Sequence, residues 1–128
     1  VAVRTVQEFS NAFSLMSREK VQAFIGLQDA LTNTREIAEL AARHRLPSIS
    51  GSRVYADAGG LMSYGLSSTE ILKRTAAYVD KIFKGAKPAD LPVEQPTKFE
   101  LIINGKTAKA LGLKIPQSLQ IMASKIIE

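Results

Sequence analysis

The sequence has no cysteine, no tryptophan and a single histidine, His44, and these shortages exclude several kinds of site. Without cysteine there is no disulfide framework and no thiolate metal site. The carboxylates do not cluster either, because Asp29, Asp57 and Glu70 stand alone in separate parts of the chain. No apolar run approaches the roughly 18 residues of a membrane-spanning helix. We therefore predict neither a metal nor any other cofactor.

A catalytic serine is also disfavoured. The residue types of a hydrolytic triad occur at Ser50, Ser52, His44 and Asp57. However, the Gly-x-Ser-x-Gly pattern of a nucleophile elbow is absent, and His44 is predicted in the last turn of a helix, where positive charge offsets the helix dipole. The pair Gly59–Gly60 lacks the spacing of a dinucleotide fingerprint or a phosphate-binding loop. The sequence predicts a protein that is not an enzyme.

Positive charge is in modest excess, with 17 lysines and arginines against 12 aspartates and glutamates. The basic residues are spread from Arg4 to Lys125, and the cluster at 43–45 has no neighbouring aromatic residue on which a base could stack. We therefore predict a basic surface and no nucleic-acid partner. The apolar content of 45% is ordinary for a chain of 128 residues that buries one core.

Strand and helix patterns alternate along the chain. The nearly continuous apolar run 21–27 is typical of a strand buried on both faces of a parallel sheet. Shorter strand patterns occur at 47–50, 61–65 and 99–103, with helix patterns between and after them. The proline-rich stretch 87–96 favours neither element and indicates a connector. The chain is therefore predicted to form an α/β fold in which helices flank both faces of a parallel sheet.

Helical spacing predicts which side chains face inward. The first helix is predicted to bury Val6, Phe9, Phe13 and Met16, and the second Ile37, Leu40 and Ala41. The third is predicted to begin with a capping box of Ser67 and Glu70 and to end at Gly85. Its predicted buried face comprises Ile71, Leu72, Val79, Ile82 and Phe83. Asn104 is predicted to cap a short helix, and a last helix from Pro116 is predicted to turn Leu119, Met122 and Ile126 inward.

The loops that follow the strands are the expected place for a ligand, since parallel sheets bind ligands at the carboxyl ends of their strands. Asp29 can orient a ligand amine or hydroxyl, or cap its own turn. Tyr55 and Tyr64 flank Gly59–Gly60, and a tyrosine at the mouth of a cleft offers an apolar face with a polar tip. Packing of the two rings against the sheet is the alternative interpretation.

Several segments resemble one known family. They are LAARHRLP at 40–47, AGGLMSYG at 58–65, YVDKIFKGAKPADLPVEQPTKFEL at 78–101 and NGKTAKALGLKIP at 104–116. The sequence resembles the substrate-binding proteins of ABC transporters, the family that includes tryptophan- and tyrosine-binding lipoproteins. The resemblance extends more loosely back to Val1, so it covers practically the whole chain.

The resemblance implies one lobe of a type I periplasmic binding protein, in which two α/β lobes hold a ligand between them. Family members are more than twice this length, so it implies that the signal sequence, most of lobe one and the start of lobe two are absent. It assigns 1–90 to lobe two, 91–98 to a hinge crossing, and 99–128 to a returning strand and terminal helices belonging to the other lobe. Apolar surface left uncovered by the missing lobe would let the fragment self-associate through the hinge segment or the terminal helices.

By position, the family's cleft residues correspond to Gln28, Asp29, Ser52, Tyr55, Gly59 and Gly60. Asp29 and Tyr55 depart from the residues that members of known amino-acid specificity often carry there, which argues against an aromatic amino acid. The implied function is capture of a small organic ligand, an amino acid or related compound, for the membrane permease of an ABC importer. The implied location is periplasmic or extracytoplasmic. A ligand-sensing regulatory domain of the same fold is the alternative.

Overall fold

The computed structural model describes Val3, Thr5, residues 8–27 and residues 34–128. The chain divides into two compact units, unit 1 with residues 1–65 and 100–128, and unit 2 with residues 66–99. The helices are α1 (Phe9–Arg18), α2 (Thr34–Arg43), α3 (Arg53–Asp57), α4 (Ser68–Phe83), α5 (Gly105–Leu111) and α6 (Gln117–Met122), with a 3₁₀ turn at Pro88–Asp90. The strands are β1 (Phe24–Gly26), β2 (Ser48–Ser50), β3 (Met62–Leu66), β4 (Phe99–Asn104) and β5 (Lys125–Ile127).

The five strands form one sheet in the order β1-β2-β3-β4-β5. β1 pairs in parallel with β2, with Ile25 opposite Ile49, and β2 pairs in parallel with β3, with Ser50 opposite Ser63. β5 pairs in parallel with β4, with Ile103 opposite Ile126. The alternation of helices with a largely parallel sheet confirms the predicted α/β fold class.

The core of unit 1 lies between its first three helices and one face of the sheet. Phe9 and Phe13 of α1 and the predicted inward residues of α2 are buried, with Phe24 of β1 packed against them. The rings of Phe13 and Phe24 meet edge to face at 5.3 Å. These core predictions are confirmed, with Met16 partly buried at the margin and Val6 outside the described residues.

The first strand differs from its prediction. β1 is limited to Phe24–Gly26, and Ile25 and Leu27 are 73% and 84% exposed. Successive side chains of a strand point to opposite faces, so Phe24 reaches the helices while Ile25 points away from them. The prediction that this strand is buried on both faces is therefore wrong for the described chain.

Unit 2 consists of α4 and the segment that follows it. Gly85, at φ +99°, ends the helix as predicted, and the amide of Ala86 donates to the carbonyl of Lys81. Ser67 stands at the N-cap position, but its side chain makes no hydrogen bond to cap the helix, so the predicted capping box is wrong. The predicted buried face is also wrong, since none of the described residues of α4 is buried.

The end of the chain differs from its prediction as well. α6 stops at Met122, and Ile126 lies in β5 rather than on a helix face. Met122 is 68% exposed. The backbone becomes extended at Ala123, and the amide of Ser124 donates to the carbonyl of Leu101, which begins the pairing of β5 with β4.

The compact units have boundaries other than the predicted segments 1–90, 91–98 and 99–128. In the division into compact units, α4 belongs with residues 84–99, whereas the prediction grouped α4 with the first strands. The assignment of segments to the two lobes of a binding protein stays a prediction. In the part of the chain that the structure describes, no helix combines the length and apolar character needed to span a membrane.

Candidate functional site

The parallel pairing brings the carboxyl ends of β1 and β2 together, beside the middle of β3. Gly26 lies opposite Ser50, and Ser50 lies opposite Ser63, so the residues that follow these three emerge side by side. We call this group the strand-end edge and define it as Leu27, Gly51, Ser52 and Tyr64. It belongs entirely to unit 1.

Glycines let two chain segments approach closely at this edge. A Cβ atom built on Gly65 would stand 1.9 Å from the carbonyl oxygen of Gly51, so no side chain fits there. The strand β3 therefore lies directly against the loop that leaves β2. The neighbouring Tyr64 is 54% exposed, whereas Ser63 before it is buried.

Two of the predicted ligand residues, Gln28 and Asp29, lie outside the described residues. Their role stays a prediction. Ser52 is half-buried and stands at the N-cap of α3 with extended backbone, φ −108° and ψ 127°. Its side chain makes no capping hydrogen bond to the helix. Val54, two residues on, is 61% exposed, so the start of α3 faces outward from the core.

Tyr55 does not lie at a cleft mouth. Only 2% of it is exposed, and its hydroxyl shares a 2.5 Å hydrogen bond with the hydroxyl of Ser48 inside the core of unit 1. Burial raises the pKa of the Tyr55 phenol, and the bond to Ser48 offsets part of that rise. The buried position of Tyr55 agrees with the alternative interpretation, in which the ring packs the loop against the sheet. It does not agree with the predicted contact between Tyr55 and a ligand.

Gly59 and Gly60 end α3. The amide of Gly60 donates to the carbonyl of Tyr55 and that of Gly59 to Ala56, the two bonds of a Schellman motif, and Gly59 has φ +105°. A Cβ atom on Gly60 would lie 2.1 Å from Cε1 of Tyr55. The pair thus provides a helix stop and room for a buried ring, which is a structural reason for both glycines.

Two further residues, Asn104 at the end of β4 and Thr107 in α5, connect α3 and its stop to that part of the chain. Asn104 caps α5 as predicted, since its Oδ1 accepts a hydrogen bond from the amide of Thr107 at 3.0 Å. Its Nδ2 also donates to the carbonyl of Ala56 at 3.0 Å, and the Thr107 hydroxyl donates to the carbonyl of Gly59 at 2.8 Å. Only the cap has a local signal in the sequence, because the partners on α3 and just after it lie 48 residues away.

His44, Ser50 and Asp57 each have other contacts and do not form a hydrolytic triad. Nδ1 of His44 lies 2.8 Å from the hydroxyl of Ser17, and the imidazole lies 5.7 Å from the ring of Phe13. Ser50 is buried, and Asp57 pairs with Arg53 at 3.2 Å. Within the described ranges, no group of three or more histidines and carboxylates could hold a metal ion.

An open hollow of unit 1 lies elsewhere, alongside α5 and β5. Its volume is about 590 Å³, and its lining includes Ile103, Lys109, Leu113, Lys114 and Ile126. None of the predicted ligand residues lines it. Two side chains of the strand-end edge are instead exposed, Leu27 at 84% and Tyr64 at 54%.

Nearly the whole chain matches one protein family. Residues 1–127 match the family model described as ABC transporter substrate binding protein. The chain belongs to this family. The proteins of the family are typically extracytoplasmic and bind small molecules. No curated protein matches the chain.

Solved structures share the fold over nearly the whole chain. A domain from Streptococcus pneumoniae in complex with L-Trp is 26% identical, with a TM-score of 0.86, and the match covers 99% of this chain and 43% of that one. A conserved domain protein from Vibrio cholerae is 23% identical, with a TM-score of 0.83 and coverage of 98% and 43%. A ligand-free, open substrate binding protein with adhesive properties from Clostridium difficile is 21% identical, with a TM-score of 0.69 and coverage of 98% and 42%. The chain thus spans less than half the length of these proteins.

Proposed function

We propose that this chain forms one wall of the cleft in which an ABC importer's binding protein captures a small organic ligand, an amino acid or a related compound. The observation that carries the proposal is the match of 99% of this chain to a structure bound to L-Trp, within a family match over 1–127. The proposed role is capture and delivery to the membrane permease, with no chemistry performed on the ligand.

The strand-end edge has the chemistry that such a wall needs. Small-molecule sites combine apolar and aromatic surface with a few polar groups that orient the ligand. Tyr64 exposes much of its ring, and Ser52 adds a hydroxyl that does not cap its own helix. Leu27 contributes exposed apolar surface beside them. Gln28 and Asp29 follow Leu27 directly in the chain and remain in the proposed ligand set.

A single wall binds weakly because small-molecule sites bury most of the ligand's surface. In the structure with L-Trp, more than half of the matched protein has no counterpart in this chain. A ligand held between two lobes favours the closed state through the contacts that only that state provides. We therefore expect this chain alone to bind its ligand with millimolar affinity, well short of micromolar.

The test is a nuclear magnetic resonance titration of the ¹⁵N-labelled chain with the twenty amino acids and with aromatic acids at millimolar concentrations. We expect one chemical class to shift the amides of Gly51, Ser52 and Tyr64 in a saturable way. Resonances of unit 2 should stay in place. No shift with any compound, or shifts confined to unit 2, would contradict the proposal.

Matched variants locate the effect. Tyr64→Ala removes an aromatic ring from the strand-end edge, and Phe83→Ala removes an exposed ring from α4 of unit 2. Tyr64→Ala should weaken binding of the responding compound severalfold, whereas Phe83→Ala should leave it unchanged. Equal effects of the two substitutions would show that binding depends on exposed aromatic surface in general.

Self-association, which the resemblance places at the hinge segment or the terminal helices, belongs to the same proposal, and the exposed side chains of α4 add a further candidate surface. Unit 2 exposes Leu72, Val79 and Phe83 on α4, and an apolar stripe of this kind favours contact with another copy. We expect light scattering to give an apparent mass that rises with protein concentration, and Phe83→Ser to reduce that rise. A constant monomer mass across the accessible concentrations would refute self-association and leave the ligand proposal intact.

A further inference from the structure

The short helix α3 depends on contacts made elsewhere in unit 1. It has five residues, Arg53–Asp57, and a helix of this length is not stable on its own in water. Tyr55 anchors its middle in the core through the hydrogen bond to Ser48. The remaining contacts therefore decide where the two ends of α3 lie.

The carboxyl end of α3 is held from the corner between β4 and α5. Asn104 is 6% exposed and uses both atoms of its amide, Oδ1 for the Thr107 amide and Nδ2 for the carbonyl of Ala56. The hydroxyl of Thr107 donates a second hydrogen bond, to the carbonyl of Gly59. We call these two bonds to α3 and its stop the α3 clamp.

Among the described residues, no side chain of another element bonds to the amino end of α3, which follows the loop where the carbonyl of Gly51 lies against Gly65. The side chain of Ser52 does not cap the helix, and Val54 is 61% exposed. The ion pair of Arg53 with Asp57 joins residues of the same helix at roughly half-exposed positions and ties it to nothing else. The sheet holds the backbone that leads to Ser52, and the bonds at the opposite end of α3 hold the helix that follows it.

We propose that Asn104 and Thr107 are positioning residues for ligand capture, fixing the orientation of α3 so that the Ser52 side chain stays in place at the strand-end edge. This inference rests on the proposed function, in which Ser52 and Tyr64 belong to the ligand wall. Neither Asn104 nor Thr107 belongs to that wall itself. They act through the carbonyls of Ala56 and Gly59, at the far end of the helix that begins after Ser52.

The first arm of the test measures α3 without any ligand. Thr107→Val keeps the size of the side chain and removes only the hydroxyl bond to Gly59, while Thr107→Ser restores a hydroxyl. Asn104→Asp keeps an oxygen to cap α5 but places an acceptor against the carbonyl of Ala56. Amide hydrogen exchange is read at Ala58 and Gly60, whose amides bond within α3 and its stop, and at His44 at the end of α2.

We expect Thr107→Val to accelerate exchange at Ala58 and Gly60 by roughly tenfold, with His44 unchanged and Thr107→Ser close to the original protein. If Thr107 contributed only to global stability, its substitution would accelerate hydrogen exchange at all three amides by the same factor. Unchanged exchange at α3, or a uniform change that includes His44, would overturn the proposal. If Asn104→Asp does not fold, the two substitutions at Thr107 still decide the question.

The second arm repeats the titration with L-tryptophan and with the compound that shifts the original chain most. Thr107→Val should weaken the saturable shift at Ser52 severalfold, and Thr107→Ser should restore it. Undiminished binding by Thr107→Val would overturn the positioning role even if α3 exchange had changed. Absence of binding by the original chain would instead refute the proposed function, while the exchange measurement would still report on the α3 clamp.

Discussion

Units 1 and 2 use their apolar residues in opposite ways. Unit 1 buries two phenylalanines of α1, Phe9 and Phe13, together with the apolar face of α2. Unit 2 has a helix of 16 residues with none buried, and Phe83 at its end is 87% exposed. The helices α1, α2 and α4 all have the spacing of an inward face, so the pattern indicates which side chains share a face and leaves open whether anything covers it.

Different interactions therefore hold the two units. Unit 1 gains stability mainly from apolar burial, which is the dominant favourable contribution in folding. In unit 2, hydrogen bonds and ion pairs join α4 to the segment after it. Arg74 forms an ion pair with Glu94 at 2.8 Å, and the hydroxyl of Tyr78 donates a hydrogen bond to the carbonyl of Pro92. Exposed ion pairs contribute little each, so we expect unit 2 to be the less stable of the two.

The largest expected difference comes from one substitution made in each unit. Phe13→Ala empties a 2% exposed position beside Phe24 and should lower the free energy of unfolding by about 3–5 kcal/mol. Phe83→Ala removes a ring that is 87% exposed and, at protein concentrations where the chain is monomeric, should change the free energy of unfolding by less than about 0.5 kcal/mol. Urea unfolding followed by circular dichroism measures both. A cost above 2 kcal/mol for Phe83→Ala, of the order that core deletions produce, would mean that α4 is covered in solution.

The second comparison uses glycines that follow helices in the two units. Gly60→Ala would force a methyl group into the ring of Tyr55, 2.1 Å from Cε1, and the buried ring has no room to move aside. We expect a loss of about 3 kcal/mol. Gly85→Ala meets no atom within 4 Å and has only the strain of φ +99° to bear, about 1 kcal/mol. Thermal unfolding of the two variants should rank them in this order, and a reversed order would contradict the packing of Tyr55 on Gly60.

Much of the fold could be predicted from local patterns. The alternation of strands and helices, the buried faces of α1 and α2, the cap at Asn104 and the stop at Gly85 all depend on residues near one another in the sequence. Such signals are physical, since they report helical spacing and unsatisfied backbone groups at helix ends. They were sufficient for an α/β fold with a parallel sheet.

The candidate site was harder to predict because its geometry depends on distant contacts. Tyr55 has the composition of a cleft residue, and only the hydrogen bond to Ser48 and the ring's packing on Gly60 reveal its core position. The bonds from Asn104 and Thr107 to α3 join residues 48 positions apart. No local pattern carries that information, whereas the resemblance could identify the family without it.

The smallest expected effect concerns charge in unit 2. The hydrogen bond and charge of Lys73, at 3.3 Å, lower the pKa of the Glu70 carboxyl, and the charge of Lys98 lowers it further. A carboxyl whose pKa is lower in the folded protein stabilises the fold above its unfolded pKa, and that contribution disappears as pH falls through the folded pKa. Because Glu70 belongs to an exposed cluster, the contribution to stability is small and is screened by salt.

The pKa of Glu70 can be measured directly from the pH dependence of its side-chain carboxyl resonance. We expect Lys73→Gln to raise the midpoint toward that of an ordinary glutamate, and Lys98→Gln to raise it less. Added salt should act in the same direction as either substitution, because both weaken the attraction of the ammonium groups. A larger effect of Lys98→Gln than of Lys73→Gln would mean that residue 98, next to the start of β4, lies closer to α4 in solution than the 3.7 Å contact with Glu70 implies. The segment after α4 would then be held to the helix more firmly than its exposed side chains indicate.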